Sequence, residues 1–212
     1  MKLSVTPDTV LSVAAMRSNI LDMIHRDMAE AERQRAWYRR TNRRAKLMSH
    51  VLGYSPMIVA SAIAVLSPSV DWQDNVRLAH AILSNPDTDT FRNRLGNTVR
   101  LVGYGKNIAK ARNIVRHNDP SYLRGPKVVP FRDAILGVRD YAVVDVHATN
   151  AAMGTFNKYD GPGKALHTIA LAYEAAAKAL GWGIVETQAA AWVNYKAIKP
   201  KRGEYLQERL GL

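Results

Sequence analysis

The sequence predicts an all-α protein, on three observations. Apolar residues recur at helical spacing along most of the chain. The pair Ser55-Pro56, a helix cap followed by a residue suited to the first turn, stands directly before a run that is apolar on every face. No segment shows the β-branched, period-two alternation of a half-buried strand, and VVDV (143–146) is too short to found a sheet.

Taken in order, residues 12–49 carry Val13, Met16, Ile20, Met23, Ile24 and Met28 at close to a 3.6 repeat. That spacing predicts one long N-terminal helix. The chain turns from charged to apolar near residue 50, so 1–50 is expected to be a basic helix packed on the core and 51–212 the helical domain. After Ser55-Pro56, MIVASAIAVL has no polar face and reads as the central core helix. Ser67-Pro68-Ser69 ends it. Further helices are predicted over 73–84, 90–102, 106–117, 127–136, 145–153, 165–180 and 186–198. Pro130 falls in a first turn, where a missing N–H does little harm. Gly181 and Gly183 separate the last two helices, with Glu186 and Gln188 in the first turn of the second. No internal repeat, low-complexity tract or linker interrupts the pattern.

Composition bounds the function. A chain of 212 residues, 47% hydrophobic, can fill one substantial core or two small ones. Its 30 Lys and Arg against 18 Asp and Glu give a net charge of +12, which suggests a polyanionic partner. The absence of cysteine excludes disulfides, iron–sulfur clusters and thiolate metal sites, and it suits a reducing cytoplasm. The segment MKLSVTPDTV lacks a signal peptide's apolar core, and Pro56–Leu66 is about half the length of a membrane span. The expectation is a soluble, cytoplasmic protein with no membrane partner. Its six histidines lack ligand spacing, so neither metal nor cofactor is expected.

Positive charge gathers in two windows. Between Arg33 and Lys46 stand Arg33, Arg35, Arg39, Arg40, Arg43, Arg44 and Lys46 without one carboxylate, and Trp37 and Tyr38 lie among them. On one helix Arg35, Arg39 and Arg43 would share a stripe, with Arg40 and Arg44 beside it. A second acid-free window holds Arg92, Arg94, Arg100, Lys106, Lys110, Arg112 and Arg116. Solvated faces usually mix signs, so these windows point to phosphate contact. Arg39, Arg40, Arg43, Arg44, Lys106 and Lys110 are the expected contacts.

Leu123-Arg124-Gly125-Pro126-Lys127 reads as a tight turn before an amphipathic helix marked by Val128, Phe131 and Ile135. A helix, a glycine turn and a second helix can present backbone N–H groups to a phosphate. Asp145, in VVDVH, follows Lys127 by eighteen residues. An amine and a carboxylate held together can form a nucleophile and its activator.

These motifs resemble the helix-hairpin-helix DNA glycosylase superfamily, the endonuclease-III-like fold. The family pattern is L-P-G-V-G-x-K, an apolar helix, a short connector and V-D-x-H. Here it becomes L-R-G-P-K, V-V-P-F-R-D-A-I-L-G and V-V-D-V-H. Upstream, AVLSPSVDWQDNV is similar to the family's apolar helix and base-probing loop, and VGYGKNIAKARNIV to its segment before the hairpin. The likeness spans residues 55–155, with the hairpin at 118–136. It departs in keeping a single hairpin glycine, in Pro126, and in Asn150, where an arginine often follows V-D-x-H. The cluster-binding cysteines are absent, as in a cluster-less, phage-type variant.

The resemblance implies that Lys127 is the Schiff-base lysine and Asp145 the catalytic aspartate. Asp145 would deprotonate the nucleophile and stabilise positive charge on the sugar. Lys127 would attack the anomeric carbon, expel the base and permit β-elimination. The partner implied is double-stranded DNA with its target base extruded. Arg124 and Gly125 would meet phosphate, and Ser69 and Gln73 would fill the gap left by the flipped base. His147, Tyr141 and Asn150 are accessory candidates, although His147 equally reads as a packed or capping residue. Trp72, Tyr104 and Tyr141 suit base stacking and core packing alike.

Three function classes follow. The first is a DNA N-glycosylase with Schiff-base lyase activity. The second is a phage-type transferase that attaches an amino acid or polyamine to modified thymine on the same fold. The third is a DNA-binding protein that keeps the fold without catalysis. Both enzymatic classes expect Lys127 and Asp145 to face one cleft, flanked by the two basic windows.

Overall fold

A computed structural model describes residues 11–68, 70–101, 105–155 and 163–198. Helices dominate these residues, as the periodicity predicts. The chain divides into two compact units, Met1–Trp37 with Asp140–Leu212, and Tyr38–Arg139.

The segment expected as a single helix over 12–49 is instead three helices: α1 (Val13–His25), α2 (Met28–Arg35) and α3 (Trp37–Leu52). The first break has two causes. Asp27 leaves the helical conformation (φ −145°) and its carboxylate accepts the Glu30 N–H at 2.9 Å, so Asp27-Met28-Ala29-Glu30 starts a new helix. The buried Asn194 amide donates to the carbonyls of Met23, Ile24 and Asp27 at 3.1–3.2 Å, satisfying the end of α1. The second break is at Ala36, whose φ −78° and ψ 5° leave the helical region. The unit boundary follows at Trp37, so the expected N-terminal helix is shared between the units.

In the Tyr38–Arg139 unit the core helix forms as read. It is α4 (Pro56–Leu66), capped by Ser55 Oγ accepting the Ile58 N–H at 3.3 Å, and every residue from Ile58 to Leu66 is buried. Helices α5 (Trp72–Ser84), α6 (Gly105–Arg116) and α7 (Val128–Leu136) pack on it. Asn42 of α3 donates to the carbonyls of Ile135 and Leu136, and Tyr38 meets Phe131 edge-on.

The helix expected over 90–102 is absent. An antiparallel hairpin stands there, β1 (Thr90–Arg92) and β2 (Thr98–Arg100), in the register Thr90↔Arg100, Phe91↔Val99, Arg92↔Thr98. Asn93 and Gly96 explain the correction. Asn93 pairs its N–H with the Asn97 carbonyl, and Gly96 supplies a φ of 82° that few other residues adopt. The alternation in Thr-Phe-Arg and Thr-Val-Arg spans three residues a strand, below the length at which period two is visible.

The other unit pairs α1 with α9 (Leu166–Leu180), and α2 with α10 (Ile184–Ile198), and α8 (Val146–Met153) packs against α1, α9 and α10. Met16, Ile20, Ile24, Ile169, Tyr173 and a set of buried alanines fill its core. Small side chains let these helices approach closely. Among the described residues no single helix is long and apolar enough to cross a membrane.

Candidate functional site

Asp145 ends an extended apolar run, Ala142–Val144, whose side chains are buried. It caps α8 in the β conformation. Its Oδ1 accepts the N–H groups of His147 at 3.0 Å and Ala148 at 2.9 Å, so the carboxylate's orientation is held by the backbone. Tyr173 lies beneath α8, fully buried, and donates to the Ala148 carbonyl at 3.1 Å. Burial pushes the Tyr173 phenol up, and the nearby Asp145 charge pushes it further. Tyr173 is therefore a fixed neutral donor. The sequence hid it, because a tyrosine on an apolar helix face looks like any core aromatic.

Of the accessory candidates, His147 is half-buried, its ring 5.9 Å from that of Tyr195. Asn150 is buried and donates to Tyr195 Oη at 3.0 Å, an inward contact that leaves it shielded from solvent. Tyr141 is half-buried in the run before Asp145.

Lys127 belongs to the Tyr38–Arg139 unit, whereas Asp145 belongs to the other. Helix α6 leads through a short 3-10 turn (Pro120–Tyr122) to the buried Leu123, then to Gly125 at φ 137°. Only glycine takes that conformation without strain. Gly125 O accepts the Val129 N–H at 3.3 Å, and Lys127, half-buried, stands at the head of α7. Asp119 caps the 3-10 turn; the Ser121 N–H and then its hydroxyl hold this carboxyl below the usual range. Arg124 is exposed, with Nε 3.4 Å from the Ser121 carbonyl.

The structure sorts the basic residues that composition grouped together. Because α2 ends at Arg35, the expected Arg35–Arg39–Arg43 stripe is broken. Arg35 pairs with Glu186 and Glu32, both at 3.0 Å, and covers the Trp182 ring at 4.4 Å. Its guanidinium pKa is raised: desolvation opposes the shift, but hydrogen bonds to Glu186 and Glu32 prevail. Arg33 pairs with Glu30. On α3, Arg39, Arg40, Arg43 and Arg44 are all exposed. Arg39, Arg43 and Arg44 make no ion pair among the described residues. In the second window Arg112 pairs with Asp89 at 3.0 Å and Arg116 with Asp87, carboxylates from just outside the acid-free stretch. Lys106 and Lys110 are exposed on α6.

Two residues predicted separately meet: Arg44 Nη1 donates to Gln73 Oε1 at 3.3 Å. Trp72, beside Gln73, is half-buried and opens α5. Arg44 also lines an open groove with Arg77, His80 and Arg92, floored by Met48 and Val76. Arg77 and His80 went unnoticed in the sequence, although Gln73, Arg77 and His80 keep helical spacing along α5. Ser69 and Tyr104 lie outside the described residues. Among the described residues no group of three or more His, Asp or Glu is placed to hold a metal ion.

The sequence pattern of a family described as Family of unknown function (DUF7178) matches residues 3–199. No curated protein and no solved structure matches the chain.

Proposed function

The chain belongs to the Family of unknown function (DUF7178), and we propose that it acts on a DNA base extruded from the duplex, as a DNA N-glycosylase with Schiff-base lyase chemistry. One observation carries the reading: Asp145, the residue to which both enzymatic expectations assign the chemistry, has its carboxylate fixed by two amides at the head of α8. A catalytic carboxylate must be oriented before the substrate arrives, and backbone amides do that without mobile partners. The exposed arginine face of α3, joined to Gln73 through Arg44, supports a polyanionic partner.

In this reading Asp145 takes a proton from the attacking group. Neutral Lys127 bonds to the anomeric carbon, and the base leaves with the electron pair of the glycosidic bond, taking up a proton. The nitrogen lone pair then opens the sugar ring by breaking the C1′–O4′ bond, with O4′ taking a proton. The resulting iminium acidifies the neighbouring C2′ hydrogen, whose loss expels the 3′-phosphate by β-elimination.

Group transfer onto a modified base is the second reading, and the hairpin favours it. Pro126 removes an N–H group from the turn that leads into α7, weakening the phosphate grip that glycosylase hairpins use. Incubating the protein with damaged and modified duplexes, then trapping with borohydride, separates the readings. A trapped covalent adduct is expected for the lyase. Base modification without base loss would replace it with transfer, and binding to every duplex without turnover would leave a DNA-binding protein.

A further inference from the structure

We propose that the β1–β2 hairpin is a DNA wedge, in which Leu95 enters a base step of the duplex while Arg92 and Arg100 hold the flanking phosphates. An exposed leucine alone signifies little. Leu95, at 74% exposure, differs in how it is held. Asn93 Oδ1 accepts the N–H groups of both Leu95 and Asn97 at 3.0 Å, and the Asn93 carbonyl accepts the Gly96 N–H at 3.0 Å. Asp74 of α5 accepts the Arg94 N–H at 2.7 Å, tying the tip to that helix. The tip is thus ordered before it meets a partner, which lowers the entropic cost of inserting it.

Charge names the partner. Strand register places Arg92 and Thr98 opposite each other, and Thr90 opposite Arg100, on one exposed face. Phe91 and Val99 take the other, half-buried face. No acidic residue occurs between Thr90 and Leu101. Arg92 continues into the groove that Arg44 and Arg77 line, and Arg44 reaches Gln73. The centres of protein–protein interfaces are depleted in charge, whereas an apolar tip flanked by arginines fits a side chain that unstacks bases between two gripped phosphates.

This inference rests on the reading that the partner is duplex DNA, and its test separates the two. Full-length protein is titrated into an undamaged duplex carrying 2-aminopurine at successive positions, and both affinity and fluorescence are read. Binding with a fluorescence rise is expected for the wild type and for Leu95→Met. Leu95→Ala should lose the rise while binding weakens by no more than about tenfold, because phosphate contacts supply most of the affinity. Val138→Ala, at a comparably exposed apolar site (61%), should behave as wild type. A rise that survives in Leu95→Ala would overturn the wedge and leave DNA binding standing. Failure of the wild type to bind duplex at any salt would overturn both readings. So would Leu95-dependent binding to phosphatidylserine vesicles in place of duplex.

Discussion

Asparagine can replace aspartate as a helix cap because its side-chain oxygen accepts the same amide hydrogen bonds. Asp145→Asn should therefore keep the bonds from His147 and Ala148, and with them the fold, while removing the charge. On a confirmed substrate, single-turnover rates should fall by roughly 10²–10⁴, the contribution of a positioned acid or base. A wild-type rate would end the enzymatic reading. Lys127→Ala should abolish the borohydride-trapped adduct, and base release that persists without strand cleavage would identify a monofunctional route. At Gly154, φ is +63° and an added Cβ would lie 2.9 Å from the Asn19 amide, which itself donates to the Ala152 carbonyl at 2.9 Å. Gly154→Ala should cost at least the roughly 1–2 kcal/mol of a left-handed alanine, measurable by urea denaturation. The position looks ordinary in the sequence, because the clash comes from a residue far along the chain.

Whole elements separate the arginines proposed to bind phosphate from those that brace the fold. Neutralising Arg39, Arg40, Arg43 and Arg44 on α3 to glutamine should weaken binding to all duplexes alike. The slope of log K against log salt should fall by roughly 0.9 for each phosphate that the helix no longer neutralises. Arg112→Gln with Arg116→Gln removes the ties from α6 to Asp89 and Asp87. Those are surface pairs, so stability should drop by about 1 kcal/mol or less for each, with little change in salt slope. Equal slopes for the two variants, measured by fluorescence anisotropy across a salt series, would show that α3 is not the phosphate-binding element. Ion pairing was hidden because Asp87 and Asp89 lie just upstream of a window that contains no acid. Their partners are more than twenty residues away in sequence and become neighbours only when α6 packs beside α5.

At the scale of the molecule, the two units carry different parts of the proposed activity. Residues 38–139 are continuous in sequence and contain the α3 arginines, Gln73, the hairpin, Gly125 and Lys127. The other unit is built from both ends of the chain and contains Asp145 and Tyr173. A fragment of 38–139 should therefore bind duplex DNA with the salt dependence of the full chain and show no Asp145-dependent turnover. Gel-shift titration beside a glycosylase assay checks both halves of this expectation, and a fragment that folds but ignores DNA would place the binding surface elsewhere.

Helices were legible wherever the signal was local. Ser55-Pro56, the apolar run of α4, Gly125 before α7, and Asp145 before α8 all act through bonds to residues two to four positions away, which spacing alone reveals. The net charge and the acid-free windows likewise needed no structure to suggest a polyanion. Where local signals competed, tertiary contacts decided. The 3.6 repeat runs through Asp27 without interruption, yet Asn194 satisfies the carbonyls at the end of α1 and lets Asp27 begin a second helix. Residues 90–100 have strands too short to show their period, and Asp74 on α5 anchors the hairpin turn by taking the Arg94 amide. Which arginines remain open to a ligand was also set by packing. A guanidinium is claimed by whichever carboxylate folding brings within about 3 Å, and that neighbour is a property of the assembled helices rather than of the order of residues.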